Sequence, residues 1–161
     1  MGQLSIAMAR PFIQAVEETF RTMAQVPVKH KAVLTVAESA EESDISITAG
    51  LAGQTKGWCV LRVEEAFADT IVRGLKLTDE EEVLETQTIW DGLCDVLGLV
   101  LDHAQRVHEG NNIQYDVALP LVVTGRKVQY GAPGKGDSGV LVFETDSGKA
   151  LQLVLCIGAT N

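Results

Sequence analysis

Six positions in the middle of the chain have side chains and spacing that would let them act together: Gln87, Asp91, Cys94, Asp95, Gly98 and Asp102. At about 100° per residue they line one side of a helix. A carboxylate cluster over a glycine gap can receive an element of a partner closely. Gly98 strengthens that reading, because a glycine inside a helix costs about 1 kcal/mol relative to alanine and so implies a packing or docking reason. The same pattern is also that of a plain solvated face, the commoner origin of an acidic stripe. Trp90 lies beside this face, where an amphipathic helix more often holds a tryptophan in its core.

Other candidates for chemistry fall away on inspection. Gly136-Asp137-Ser138-Gly139 resembles the nucleophile loop of chymotrypsin-like proteases, but that chemistry needs a histidine base oriented by a buried carboxylate, and 161 residues are too few for two barrels. It reads instead as a glycine-rich turn entering a strand. The run Gly131-Ala132-Pro133-Gly134-Lys135-Gly136 lacks the spacing, the Ser or Thr after the Lys, and the following helix of a phosphate-binding loop. His103 and His108 are five apart and share no helix face as zinc ligands would. With His30, they are expected to be solvent-exposed or partly buried. Cys59, Cys94 and Cys156 form no CxxC pair, so neither a zinc site nor a disulfide framework is expected. No metal site is expected.

The composition sets the partner class. Of 161 residues, 22 are acidic and 13 basic, a net charge of −9, which disfavours nucleic acid and anionic membranes. At 46% apolar and 22% charged, the chain falls in the globular class and is long enough to bury a core as one domain, residues 1–161. Residues 1–12 lack the basic and long apolar regions of a signal peptide, and Ile6 breaks the myristoylation pattern. Val96–Leu101, the most apolar run, is too short to span a bilayer. A cytoplasmic location with reduced thiols is expected.

The elements that must position the stripe follow from periodicity. Pro11–Met23 reads as a helix with Pro11 in its first turn and Phe12, Ile13, Val16, Phe20 and Met23 on one face. Strands are predicted at Lys29–Val36, Asp44–Leu51 and Gly57–Val63, with polar turns at residues 37–43 and 53–56. A short helix follows over Glu64–Leu75. Thr78 with Glu81 forms a capping box, and the acidic residues Asp79–Glu82 suit a helix N-terminus, so the long helix is predicted from there to about Val107. Ile113–Val123 is a strand region broken at Pro120, which implies an edge or a bulge. Ser138–Glu144 and Ala150–Cys156 read as a hairpin around Thr-Asp-Ser-Gly-Lys. The result is an α/β chain of the α+β type: about six strands, two long helices and one short one. Its order hints at a duplicated unit of one helix and three strands.

Taken together, these residues resemble the CheX members of the CheC/CheX/FliY group of chemotaxis phosphatases. The resemblance covers nearly the whole chain. It is carried by Pro11-Phe12-Ile13-Gln14-Ala15, by Gly50-Leu51-Ala52-Gly53 with Lys56-Gly57, by the acidic start of the long helix, and by Ala118-Leu119-Pro120-Leu121-Val122-Val123-Thr124-Gly125. It implies the CheC/CheX-like fold, with a largely antiparallel sheet, and a homodimer formed through that sheet. It also implies binding of a phosphorylated CheY-type response regulator and hydrolysis of its aspartyl phosphate, without a cofactor of the chain's own, since any magnesium would belong to the partner.

In that group an acidic residue holds the regulator's active-site lysine, and an Asn three positions later orients the attacking water. Matching the group's glycine to Gly98 puts Asp91 at the acidic position, Cys94 at the Asn position, and Gln87 one turn upstream. The motif is therefore degraded to Asp91-x-x-Cys94. A thiol is a weak donor and acceptor and cannot replace a carboxamide. Gln87 or Asp95 could orient the water instead. The alternative is a catalytically inactive module that docks on a regulator or dimerises. Gly98 and Asp102 are expected partner contacts.

Overall fold

The computed structural model describes residues 2–36, 38, 44–124 and 136–159. In chain order the elements are β1 (Gly2–Gln3), α1 (Ile6–Thr22), β2 (Lys29–Leu34), β3 (Ile45–Ala52), β4 (Thr55–Val63) and α2 (Glu65–Lys76). They continue with α3 (Thr86–Gly110), β5 (Asp116–Val117), β6 (Leu121–Thr124), β7 (Asp137–Glu144) and β8 (Ala150–Ala159). The strands form one eight-stranded sheet in the order β1-β7-β8-β4-β3-β5, with β2 also on β7 and β6 also on β3. Only the short β1·β7 contact is parallel. Two strands more than the sequence predicts come from the two-residue pieces β1 and β5, which are too short to carry a periodic signal.

The suspected duplication is present in the topology. One unit is α1-β2-β3-β4 and the other α3-β6-β7-β8. Within each unit the last two strands form a hairpin, and the first strand crosses to the other unit, β2 onto β7 and β6 onto β3. The antiparallel pair β4·β8 joins the units at the centre, in register from Thr55–Ala159 to Val63–Leu151. Exchanging the two units leaves the strand order unchanged.

The main core lies between the sheet and the helices. Phe12 and Phe20 of α1, Ile71 of α2, and Leu93, Leu97 and Leu101 of α3 are fully buried there with Ile47, Leu61, Leu141 and Leu153 of the sheet. Each such side chain contributes about 1.5–3 kcal/mol by leaving water. A small second cluster, Val60, Val140 and Val154, occupies the sheet's other face. Gly92 lets α2 approach α3, since a Cβ there would lie 2.7 Å from the Val72 methyls.

The ends of two helices differ from expectation. α1 begins five residues before Pro11, because Ser5 caps it by accepting from the Met8 N–H at 3.2 Å. Pro11 therefore lies inside the helix, where its ring removes the bond to the Ala7 carbonyl. Met23 falls past the helix end and is exposed. At the other boundary, Thr78 and Glu81 do not start α3. Leu77, with φ 52°, closes α2 in the left-handed conformation, and Thr78 N–H bonds back to the Arg73 carbonyl at 3.0 Å. Asp79 is used in a tight turn, its carboxylate accepting from the Glu81 N–H. Thr78 is thus consumed in ending one helix and cannot begin the next, and α3 starts at Thr86 with Glu85 at its N-cap.

His108 is the third correction, for it is fully buried rather than exposed or partly buried. Its Nε2–H donates to the Met8 carbonyl at 3.0 Å, so its Nδ1 accepts from the Tyr115 hydroxyl at 2.7 Å. Burial holds the imidazole below its ordinary pKa, partly offset by bonds to the Met8 and Ala104 carbonyls. A histidine with a lowered folded pKa contributes stability that is complete above about pH 6.5 and lost as pH falls below it. We therefore expect stability to fall as pH drops from about 6.5 toward 5, with a slope of at most one proton, about 1.4 kcal/mol per pH unit. Denaturant midpoints of wild type and His108→Gln across that range provide the check, with the variant showing the shallower slope.

The break at Pro120 separates β5 from β6, and both lie on the outer edge of β3, as the edge reading requires. The β7–β8 hairpin turns at Gly148, φ 89°. Gly125 and residues 131–135 of the glycine run lie outside the described residues, as does most of the turn at 37–43.

Candidate functional site

α3 presents the stripe because its opposite face is committed to the core. Ile89, Leu93, Val96, Val100 and Ala104 are buried against the sheet and α1, which turns Gln87, Asp91, Asp95 and Asp102 into solvent, with Cys94 and Gly98 half-buried at the margin. The structure thus brings all six predicted positions onto one helix face. Three residues of helical rise, about 4.5 Å, separate Asp91 from Cys94 along the axis.

The carboxylates are not equivalent. Asp91 accepts from Gln87 Nε2 at 2.8 Å, a neutral amide that orients the carboxylate, and among the described residues no cation pairs with it. Asp102 pairs with Arg106 at 3.1 Å, one turn on, which neutralises it locally. Both partners of that pair are well exposed, so it contributes little to stability. Cys94 titrates above the ordinary thiol value, first because it is partly buried and then because the Asp91 and Asp95 carboxylates disfavour a thiolate. At neutral pH it is a protonated thiol, a poor nucleophile and a weak hydrogen-bonding group.

A Cβ placed on Gly98 would meet nothing within 4 Å. Among the described residues no contact therefore requires this glycine, and its helix cost has no structural return there. Leu99, 36% exposed, lies between Asp95 and Asp102 and adds an apolar contact to the face. Sequence reasoning missed it because the run Val96–Leu101 reads as uniformly apolar. The signal available was its place in the stripe, four residues after Asp95 and three before Asp102. Trp90 is half-buried, packed on the core and bordering a hollow of about 130 Å³ with Asp44, Glu65 and Thr86. Among the described residues, no group of three or more His, Cys, Asp or Glu is placed to hold a metal ion, and no helix is long and apolar enough to cross a membrane.

No protein-family profile matches the chain, and no curated protein matches it significantly. Solved structures do match, over almost its full length. Chemotaxis protein CheX from Vibrio vulnificus superposes with a TM-score of 0.81 at 21% identity, covering 94% of this chain and 99% of that one. A CheC-like superfamily protein from Shewanella sp. PV-4 gives a TM-score of 0.83 at 20% identity, covering 97% and 100%. The CheX of a CheX-CheY-BeF3-Mg complex from Borrelia burgdorferi gives 0.78 at 17% identity, covering 95% and 99%. Three helices on a mainly antiparallel, internally duplicated sheet, matched over nearly the whole of each of these chains, make this the CheC/CheX-like fold.

Proposed function

We propose that the chain is a CheX-like signalling protein that docks the outward face of α3 on a phosphorylated CheY-type response regulator. The observation that carries this reading is the exposed Asp91 carboxylate on α3, paired with no cation among the described residues, in a fold shared with a CheX solved together with CheY. Asp91 receives the ammonium of the regulator's active-site lysine. Asp95, Gly98 and Leu99 extend the contact, with the bare Gly98 surface letting the partner's backbone come close.

Hydrolysis of an aspartyl phosphate requires water to attack phosphorus in line with the departing carboxylate. The products are the free aspartate and inorganic phosphate, and the chain's part is to place the water. Cys94 stands where a carboxamide would do this, and a protonated thiol accepts and donates too weakly to hold a water in line. The chain therefore binds the regulator and promotes hydrolysis slowly. A second reading, a docking module without hydrolysis, is favoured by that same thiol. No cofactor of the chain's own takes part, and the phosphoryl group's magnesium belongs to the regulator.

The protein acts in the cytoplasm, where its regulator resides, and as a homodimer. Among the described residues the outer strands of the sheet are β1 and β2 at one edge and β5 and β6 at the other, and the longer of each pair, β2 and β6, offer the edges for sheet-to-sheet pairing. Leu119 and Leu121, 85% and 65% exposed, lie at the β6 edge. A solution mass of one chain, 17.3 kDa, would contradict the dimer. The docking reading is tested by binding of the phosphorylated regulator to wild type and to Asp91→Ala, which should lose most of its affinity.

A further inference from the structure

Two aspartates of α3 have a partner one turn away, and the two partners differ in kind. Asp102 faces the cation Arg106 at 3.1 Å, whereas Asp91 accepts from the neutral amide of Gln87 at 2.8 Å. An ion pair compensates the charge it holds. An amide donor holds a carboxylate oxygen in place and leaves the full negative charge for another cation.

We propose that Gln87 is a positioning residue that presets the Asp91 carboxylate for docking, an inference that rests on the reading of α3 as a docking face. Asp91 is exposed, so packing does not select its rotamer, and freezing it upon docking would cost side-chain entropy. The Gln87 bond to Oδ1 selects one orientation beforehand and leaves Oδ2 outside that bond, ready for an incoming ammonium. The reach also fits. A glutamine spans the single turn between positions i and i+4, where side chains are neighbours. Cys94, on the other side of Asp91, is a thiol that offers only a weak donor. Gln87 therefore acts on affinity, through Asp91, and not on the attacking water.

The experiment titrates wild type, Gln87→Ala and Gln87→Glu with the regulator from the same organism, phosphorylated by a small-molecule phosphodonor. Binding and phosphate release are both followed, with circular dichroism confirming the helix. Gln87→Ala should raise the half-saturating concentration about twofold; a fall in the decay rate at saturation in its place would put Gln87 on the attacking water and overturn the proposal. Gln87→Glu adds negative charge but removes the N–H donor. A bare electrostatic role predicts tighter binding to a cation, whereas positioning predicts weaker binding. An affinity for Gln87→Ala equal to wild type, or tighter binding by Gln87→Glu, overturns the proposal while leaving the docking reading standing. Absence of saturable binding by wild type itself overturns both.

Discussion

Cys94→Asn should accelerate the decay of the bound, phosphorylated regulator by a factor of about 10–100 over wild type. Placing a group to orient or activate a nucleophile within a preformed complex is worth that much or more. The substitution supplies an N–H donor and a carbonyl acceptor three residues after Asp91, on a helix face already exposed. It should cost the fold little, because Cys94 is only half-buried and its thiol is not used in a disulfide. Affinity should change far less than the rate, since the lysine-holding carboxylate at Asp91 is untouched. A measured decay that does not respond would mean that the docked geometry differs from the one proposed, through either a different partner or a different surface.

The second large effect concerns the sheet. Gly57 of β4 faces Ile157 of β8, and a Cβ on it would lie 2.0 Å from the Cys156 carbonyl oxygen and 2.9 Å from the Ile157 Cα. Both obstacles are backbone, so no side chain can rotate aside. Gly57→Ala must prise β4 and β8 apart at one end of the pair that joins the two halves of the molecule. We expect a loss of about 3 kcal/mol or more, lowering the thermal midpoint by about 10 °C. Gly98→Ala is the internal control. Its Cβ meets nothing within 4 Å and the helix gains about 1 kcal/mol of propensity, so the midpoint should rise. Two Gly→Ala changes of opposite sign separate close backbone approach from an open surface. A midpoint for Gly57→Ala within 2 °C of wild type would contradict the central role given to β4·β8.

Where a residue's burial follows from its own periodicity, the sequence was readable. Ile89, Leu93, Val96, Val100 and Ala104 define the buried side of α3, and the stripe from Gln87 to Asp102 follows by subtraction. In β3, Ile45 and Ile47 alternate with Ser46 and both join the core, whereas the burial of Ser46 itself does not follow from that alternation. The boundary near residue 78 was misread because a capping box is a local signal, and here a helix that ends at Leu77 competes for the same Thr78 backbone. The burial of His108 was not readable at all, since its two partners, Met8 and Tyr115, lie 100 and 7 residues away. The hydrogen bond between Gln87 and Asp91 was implied by their spacing, but its contrast with Arg106 and Asp102 needed side-chain positions.

Docking through the Asp91 carboxylate is open to test by one titration. The regulator, phosphorylated and unphosphorylated, is added to wild type and to Asp91→Ala. Wild type should bind saturably, more tightly to the phosphorylated form, and the variant at least tenfold more weakly, because an exposed alanine offers the regulator's lysine no counter-charge. Equal affinity of the two proteins, or no saturable binding by wild type, would contradict it.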